Sequence, residues 1–422
     1  MTAADSLLAL LDAPTLDLLQ FCGRIAADRG EQAYLVGGRV RDLILGRDSV
    51  DVDVVVVGDG MAVAQALARE RGGRLTRFHS FATARVDLAD GGVVDFASAR
   101  SESYAHPGEL PRVQGGTLRE DLARRDFSIN ALAVSLDPQG AGALVDEFGG
   151  RADLDAGLVR ILHERSFADD ATRMLRAVRF QVRLRFRLED GTTRALAAAI
   201  LGGYLDSISG DRLRRELRKL YTESPVEGPL ALAEQGLLEA IQSELEARRD
   251  ALAALAAELR RTPVGESAEP WSLVLAATAA RLGPQERWTL ASRLRLSRSR
   301  RQPLLDSGAP WERARTSVAE LASAGERAVI LDEISPAALR VAIATDATLD
   351  DDLVGAIRQY LDHDRAITSA LDGTAVQAMG CPAGPAVGEV LRALRVARID
   401  QTVVDKSAEK ALARSLIATC SN

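Results

Sequence analysis

Residues 51–57 read Asp-Val-Asp-Val-Val-Val-Val, a run that admits little besides a strand entering a core. β-Branched side chains are stiff in a helix and pack well on a pleated sheet. Residues i and i+2 share one face of a strand, so Asp51 and Asp53 project together from its leading end. Two adjacent carboxylates repel each other unless a cation lies between them. Mg²⁺ suits such a pair, because it is hard, prefers oxygen and is usually held by one or two carboxylates plus substrate phosphate. Asp51 and Asp53 are therefore the candidate catalytic metal ligands.

Just upstream, Ala33-Tyr34-Leu35-Val36 predicts a short buried strand, then Gly37-Gly38, then a helix over Arg39–Leu45 that Gly46 terminates. A strand, a double glycine and a helix start present bare backbone N–H groups to an anion. Glycine lets phosphate oxygens approach the main chain, and Arg41 adds a charge-assisted contact one turn later. An ordinary tight turn has the same local pattern. The carboxylate strand that follows favours a nucleotide site at Gly37, Gly38 and Arg41. Val93–Ala97 predicts another strand after the Asp90-Gly91-Gly92 turn. If it pairs beside the first carboxylate strand, Asp95 completes a carboxylate triad; otherwise Asp95 faces outward.

Thr117-Leu118-Arg119-Glu120 carries a capping-box pattern that opens a helix and leads into Arg124-Arg125-Asp126-Phe127-Ser128-Ile129-Asn130. Arg125 is expected to reach a triphosphate or base, with Asp126 and Asn130 bracing backbone and arginine. Further on, Asp170, Arg173, Arg176 and Arg179 recur every third residue, while Met174, Leu175 and Val178 face the core. Three arginines against one acid leave excess positive charge, as a nucleotide neighbour requires. A carboxylate beside a guanidinium complements the amino and ring-acceptor edge of cytosine and adenine. Uracil and guanine present the reverse polarity, so Asp170 with Arg173 would select C and A.

From about residue 151 the texture changes to Ala, Leu and Arg with apolar residues at helical spacing. The expected fold is α+β: a head of mixed strands and helices at 1–150, then helical segments at 151–222, 223–345 and 346–422. The boundaries fall near Ser224-Pro225, Gly228-Pro229 and Ser335-Pro336. A formal charge of −7 over 422 residues excludes a general polyanion coat but not a local basic groove. Three Trp, five Tyr and nine Phe leave little for a base-stacking platform of several rings. Two basic runs suit phosphate contacts: Arg212, Arg214, Arg215, Arg218 and Lys219, and Arg293, Arg295, Arg298, Arg300 and Arg301. Cys22, Cys381 and Cys420 form no C-x-x-C pair, so neither a zinc site nor a disulfide framework is indicated. No apolar run is long enough to span a bilayer, and the first residues lack a positive signal region. The chain reads as cytoplasmic, with no membrane partner. Asp362-His363-Asp364 suggests a metal phosphohydrolase, but the four histidines (His79, His106, His163, His363) are too few and scattered.

Together these segments resemble the class II tRNA nucleotidyltransferase / bacterial poly(A) polymerase family, which includes the CCA-adding enzymes. LVGGRVRD (35–42) resembles its glycine motif and VDVDVVVVG (50–58) its metal-binding D-x-D. EDLARRDFSINALA (120–133) is similar to its R-R-D-F-T-[IV]-N-A motif, with Ser128 for the common Thr. DDATRMLRAVRF (169–180) resembles its nucleotide-selecting E-D-x-x-R motif, with Asp169 for Glu and Ala171 where Pro is common. SGDRLRRELRKL (209–220) and GCPAGPAVGEVLRALRVARID (380–400) resemble later segments. The resemblance implies a head, neck, body and tail, with Mg²⁺ at Asp51 and Asp53. It places Gly38, Arg41 and Arg125 at the triphosphate and Asp170, Arg173, Arg176 and Arg179 around base and phosphates. The activity it implies is addition of C and/or A from CTP and ATP to the tRNA 3′ end. The rivals are CC-only, A-only or poly(A) addition. Ser101–Gly116 lies where the family has a loop that helps switch from CTP to ATP, which disfavours CC-only addition. A non-enzymatic RNA-binding module would not need both carboxylates.

Overall fold

The computed structural model describes residues 7–48, 51–78, 82–103, 112–261 and 268–420. Ser49, Val50, His79, His106 and residues 104–111 of the expected switching loop lie outside the described residues. The chain forms two compact units, Met1–Ser209 and Gly210–Asn422.

The first unit is built on a seven-stranded sheet. Its strands are β1 (Gln32–Val36), β2 (Val52–Val57), β3 (Gly73–Phe78), β4 (Thr83–Leu88) and β5 (Val93–Ser98). A hairpin of β6 (Arg100–Ser103) and β7 (Arg112–Gly115) precedes β8 (Leu132–Ser135) and β9 (Leu144–Asp146). The sheet order is β3-β4-β5-β2-β1-β8-β9. The valine run occupies a central strand, flanked by β1 antiparallel and β5 parallel. Val52, Val54 and Val56 are buried on one face, and Val55 on the other packs with Val36, Leu122 and Ala133. Both faces are covered behind the leading end, so only that end can present Asp51 and Asp53. The helices are α1 (Ala13–Asp28), α2 (Gly38–Ile44), α3 (Gly60–Arg71), α4 (Leu118–Ala123), α5 (Gly150–Ala156), α6 (Ser166–Asp169), α7 (Thr172–Leu184) and α8 (Asp190–Leu201). The capping box forms as expected: Thr117 accepts from Glu120 N–H, and the Glu120 carboxylate accepts from Thr117 N–H. Phe127 leads into a 3-10 turn, Ser128–Asn130, before β8.

The second unit is helical throughout its described residues. It opens with α9 (Gly210–Glu223), so the compact break falls within the segment expected to be one helical stretch, 151–222. The helices before that break, α5 to α8, form part of the first unit. Gly228-Pro229 lies in the first turn of a helix, Glu227–Glu234, where proline is tolerated. Trp311, Val318, Leu331, Leu339, Ile357 and Tyr360 make one core cluster, and Val376, Val390, Leu394, Ala413 and Ile417 another. Among the described residues no helix is long and apolar enough to cross a membrane.

The start of α9 is pressed against the chain near Arg293. A β carbon at Gly210 would lie 1.9 Å from the Arg293 carbonyl oxygen. Gly210→Ala must therefore push helix and carbonyl apart. The expected cost is about 1–3 kcal/mol, read as a lower urea midpoint for the full chain. An unchanged midpoint would refute this packing.

Candidate active site

The site begins at the turn between β1 and α2. Gly37 has φ of 74°, a conformation only glycine adopts without strain. A β carbon there would lie 3.0 Å from Arg125 Nη1 and 3.8 Å from Asp53 Oδ2. Glycine thus serves twice, forming the turn and leaving open the space between an arginine and a carboxylate. Gly38 opens α2, whose first-turn N–H groups have no intrahelical acceptor.

Gly37, Gly38, Arg41, Asp51, Asp53, Arg125, Asp170, Arg173, Arg176 and Arg179 all line one open cleft of about 370 Å³, a size within the range of small-molecule sites. Asp42, Asp126, Asn130, Phe180, Arg39 and Arg183 complete the lining. Ten of the eleven candidate residues are therefore brought together. Asp95 is the exception. It lies in direct register with Asp53, as pairing beside β2 requires. Its carboxylate, however, accepts 2.8 and 2.7 Å bonds from the Arg85 guanidinium of β4. Among the described residues no three acidic, His or Cys side chains form a metal-binding group. Asp51 and Asp53 thus stand together on the cleft, while the Asp95 carboxylate holds an arginine.

Asp51 is exposed and Asp53 half-buried. Burial pushes the Asp53 carboxyl above the ordinary carboxylate value; Arg125 opposes the shift, while Asp95 and Asp51 add to it. The pair thus sets two carboxylates on a polar cleft, with Arg125 partly offsetting the charge of Asp53. Two such carboxylates fit the donor set of a hard divalent cation that completes its shell with water or phosphate oxygen. Arg125 is held through Nη2 by the fully buried Asp121 at 3.2 Å. Its buried Nε has no hydrogen-bond partner among the described residues.

Behind these groups runs a buried chain of charge-assisted bonds. Arg41 donates 2.9 Å bonds to both carboxylate oxygens of Asp42 and a 2.6 Å bond to Asn130 Oδ1. Asn130 donates to Asp126 Oδ1 at 2.9 Å, and Arg176 donates to Asp126 Oδ2 at 2.8 and 2.5 Å. Burial opposes the charge on Asp126, but Arg176, Asn130 and Arg173 outweigh it and hold its carboxyl below the usual range. Burial lowers the pKa of the Arg41 guanidinium, against the raising effect of Asp42. Arg41 is thus a braced residue at the back of the cleft, 3 % exposed.

On α7 the expected stripe forms with one adjustment. Asp170 sits in the turn before the helix, where its carboxylate accepts from Thr172 N–H at 2.9 Å and Thr172 Oγ1 at 2.7 Å. Arg173 donates to Ser166 Oγ at 2.8 Å and to the Arg124 carbonyl at 2.6 Å. It therefore joins α7 to the Arg124-Arg125 turn. Arg41, Arg176 and Arg179 surround the Phe180 ring, with guanidinium carbons 5.2, 5.6 and 5.8 Å from its centroid. Sequence reasoning missed Phe180, Asp42 and Arg183. Phe180 stands beside Arg179 in the stripe, but its partner Arg41 is far away in sequence. Ser128, which replaces the common Thr, is fully buried and donates to Asp153 at 2.5 Å. Asp169 lies 3.8 Å from both His163 and Arg165 and does not line the cleft.

A sheet head presenting a D-x-D pair, a glycine turn and converging arginines defines a nucleotidyltransferase-type site. Residues 33–160 match the poly A polymerase head domain. It is 34 % identical over 417 residues to the A-adding tRNA nucleotidyltransferase of Geobacter sulfurreducens, covering 96 % of this chain and 47 % of that protein. It is 44 % identical over 211 residues to the A-adding tRNA nucleotidyltransferase of Halalkalibacterium halodurans, covering 50 % of this chain and 49 % of that protein. The chain thus spans about half the length of these relatives. It is also similar to the Thermotoga maritima CCA-adding enzyme solved in complex with tRNA, with a TM-score of 0.79 and 28 % identity over 98 % of each chain.

Asp126→Asn should cost stability at neutral pH, because it removes the buried charge that pairs with half-buried Arg176. The expected loss is about 2 kcal/mol or more. The folded-state pKa of Asp126 is lowered, so its contribution is present above the unfolded value near 3.8. That contribution is lost as pH falls through the folded value. Denaturant unfolding should therefore show a full gap between parent and variant at pH 7 and a narrower one below about pH 4. A gap that widens on acidification would contradict this account.

Proposed function

We propose that the chain adds C and/or A from CTP and ATP to the 3′ end of tRNA, releasing pyrophosphate. The observation that carries the proposal is the convergence of Asp51, Asp53, the Gly37-Gly38 turn, Arg125 and the α7 arginines on one cleft. The names of the relatives, all tRNA nucleotidyltransferases or CCA-adding enzymes, support it. In the reaction the tRNA 3′-oxygen bonds the α-phosphorus, and the bridging bond to the β-phosphate breaks. Pyrophosphate takes the released electron pair, and the hydroxyl proton passes to solvent.

Asp51 and Asp53 would hold Mg²⁺. The chemistry Mg²⁺ supplies when bound there is acidification of the attacking hydroxyl and neutralisation of charge on the leaving group. The chain's own residues position and stabilise charge. The Gly37 turn admits phosphate oxygens to the backbone, and Arg125 stands across it. Arg176 and Arg179 supply positive charge from α7. Asp170 and Arg173 face the base edge, and the bonds that already fix them keep that edge rigid. Four functional parts, a head at 1–150 followed by neck, body and tail, belong to the same proposal. Addition of A alone is a second reading, favoured by the names of the two relatives above.

The deciding experiment offers the purified protein tRNA ending at the discriminator base, at C or at CC, with labelled CTP or ATP. Extension of all three to CCA supports full CCA synthesis, and ATP use on the CC end alone supports A addition. No extension of any end would overturn the proposal. Asp51→Ala and Asp53→Ala should each lower turnover by at least about 10²–10³-fold while leaving RNA affinity intact. Retained turnover in both would remove the metal assignment. Asp170→Ala should raise UTP and GTP incorporation relative to CTP more than it raises the KM for CTP. Unchanged base choice would dismiss the edge-pairing argument.

A further inference from the structure

The second unit holds two of the chain's three tryptophans in its core and leaves the third outside. Trp271 is 1 % and Trp311 3 % exposed, whereas Trp288 on the helix Pro284–Arg293 is 45 % exposed. Trp271 donates to Glu269 and Trp311 to Asp346. Trp288 has instead the Arg301 guanidinium over its ring, 4.9 Å from the centroid.

Half of the cations in the two basic runs are paired with carboxylates. Arg214 and Arg295 are paired with Asp211, Lys219 with Glu216, and Arg218 and Arg300 with Glu269. Those five side chains are already held by three carboxylates within the unit. Arg298 and Arg301, on the helix Arg298–Asp306, have no carboxylate partner among the described residues. An acidic protein thus keeps Arg301 without a carboxylate over its one exposed indole, with Arg298 one turn earlier on the same helix.

We infer that Trp288, Arg301 and Arg298 form an RNA-docking platform, in which the indole stacks on an unpaired nucleobase and the two arginines take adjacent phosphates. The inference rests on the proposal that RNA is the substrate. A large π face binds any base by stacking, and a guanidinium held over that face strengthens it and pairs with phosphate. Charge complementarity favours a polyanion over a neutral protein surface as the occupant. One ring suffices for a single base, so the scarcity of aromatics does not stand against it.

The test uses the full chain and a tRNA transcript lacking its last nucleotide. Because the other two indoles are buried, quenching of tryptophan emission on RNA addition reports Trp288. Emission should fall on saturation in the parent and stay nearly constant in Trp288→Phe. Trp288→Ala should weaken RNA binding about tenfold or more, and Trp288→Phe should recover most of that loss. Arg301→Gln should reduce the slope of log affinity against log salt by about one. In each variant kcat at saturating RNA should match the parent. RNA that is bound and extended while the indole stays unquenched, or equal affinity of Trp288→Ala and parent, overturns the platform alone. Shielding of the indole that grows with protein concentration, without RNA, also overturns it and assigns the face to a second copy. RNA neither bound nor extended overturns both the platform and the function on which it rests.

Discussion

The carboxylate of Asp126 lies buried between Arg176 of α7 and Asn130 of the 3-10 turn, and the cleft takes its shape from this contact. Asn130 passes the connection to Arg41, and Arg41 to Asp42, so α2 and α7 are tied through one line of hydrogen bonds. A lone buried carboxylate is costly, and a lone buried guanidinium hardly less so. Alternation of sign along the line lets each group satisfy its neighbour. Such a network is either fully satisfied or worse than an apolar core. The glycine turn and α7 are therefore held in fixed relation before any ligand arrives, as catalysis by positioning requires.

Local regularities made much of this legible in the sequence. The period of two in a strand was enough to put Asp51 and Asp53 side by side, and the period of a helix to align Arg173, Arg176 and Arg179. Gly37 was legible because only glycine suits both its φ and the space Arg125 and Asp53 require. What escaped depends on partners brought from afar. Asp95 read as a possible third ligand, and its register beside Asp53 follows from strand pairing. That Arg85 of the next strand would take its carboxylate does not. Asp170 was read as part of the helical stripe, but its bond to Thr172 N–H places it in the turn before α7. Phe180 read as part of an arginine-rich string. Its role as a seat for Arg41 needed α2 folded against α7.

The same limit governs charge. The basic runs at Arg212–Lys219 and Arg293–Arg301 read as uniform phosphate-binding stripes. Asp211, Glu216 and Glu269 pair with five of these ten cations within the second unit. Sequence shows how many cations a segment has, and only the fold shows which remain unspent. In the cleft, seven arginines face five aspartates, and two of those aspartates are committed to Arg41 and Arg176. A net charge of −7 is thus compatible with local positive potential where arginines outnumber their partners.

The choice of cation follows from these demands. The chain has three lysines, Lys219, Lys406 and Lys410; every other basic side chain that bears a fixed charge is arginine. An ammonium is strongly hydrated and offers no planar fork, so it could not replace Arg41 between Asp42 and Asn130 without leaving donors misdirected. A guanidinium also stacks on rings. All the cation–aromatic contacts among the described residues are made by arginine, on Phe21, Phe148, Phe180 and Trp288. At Phe180 three like charges share one ring, whose negative face offsets part of their mutual repulsion. With few aromatic rings to spend, the chain places them as seats for guanidinium groups, and it is the seated arginines, held in plane and direction, that can meet a phosphate or a base edge.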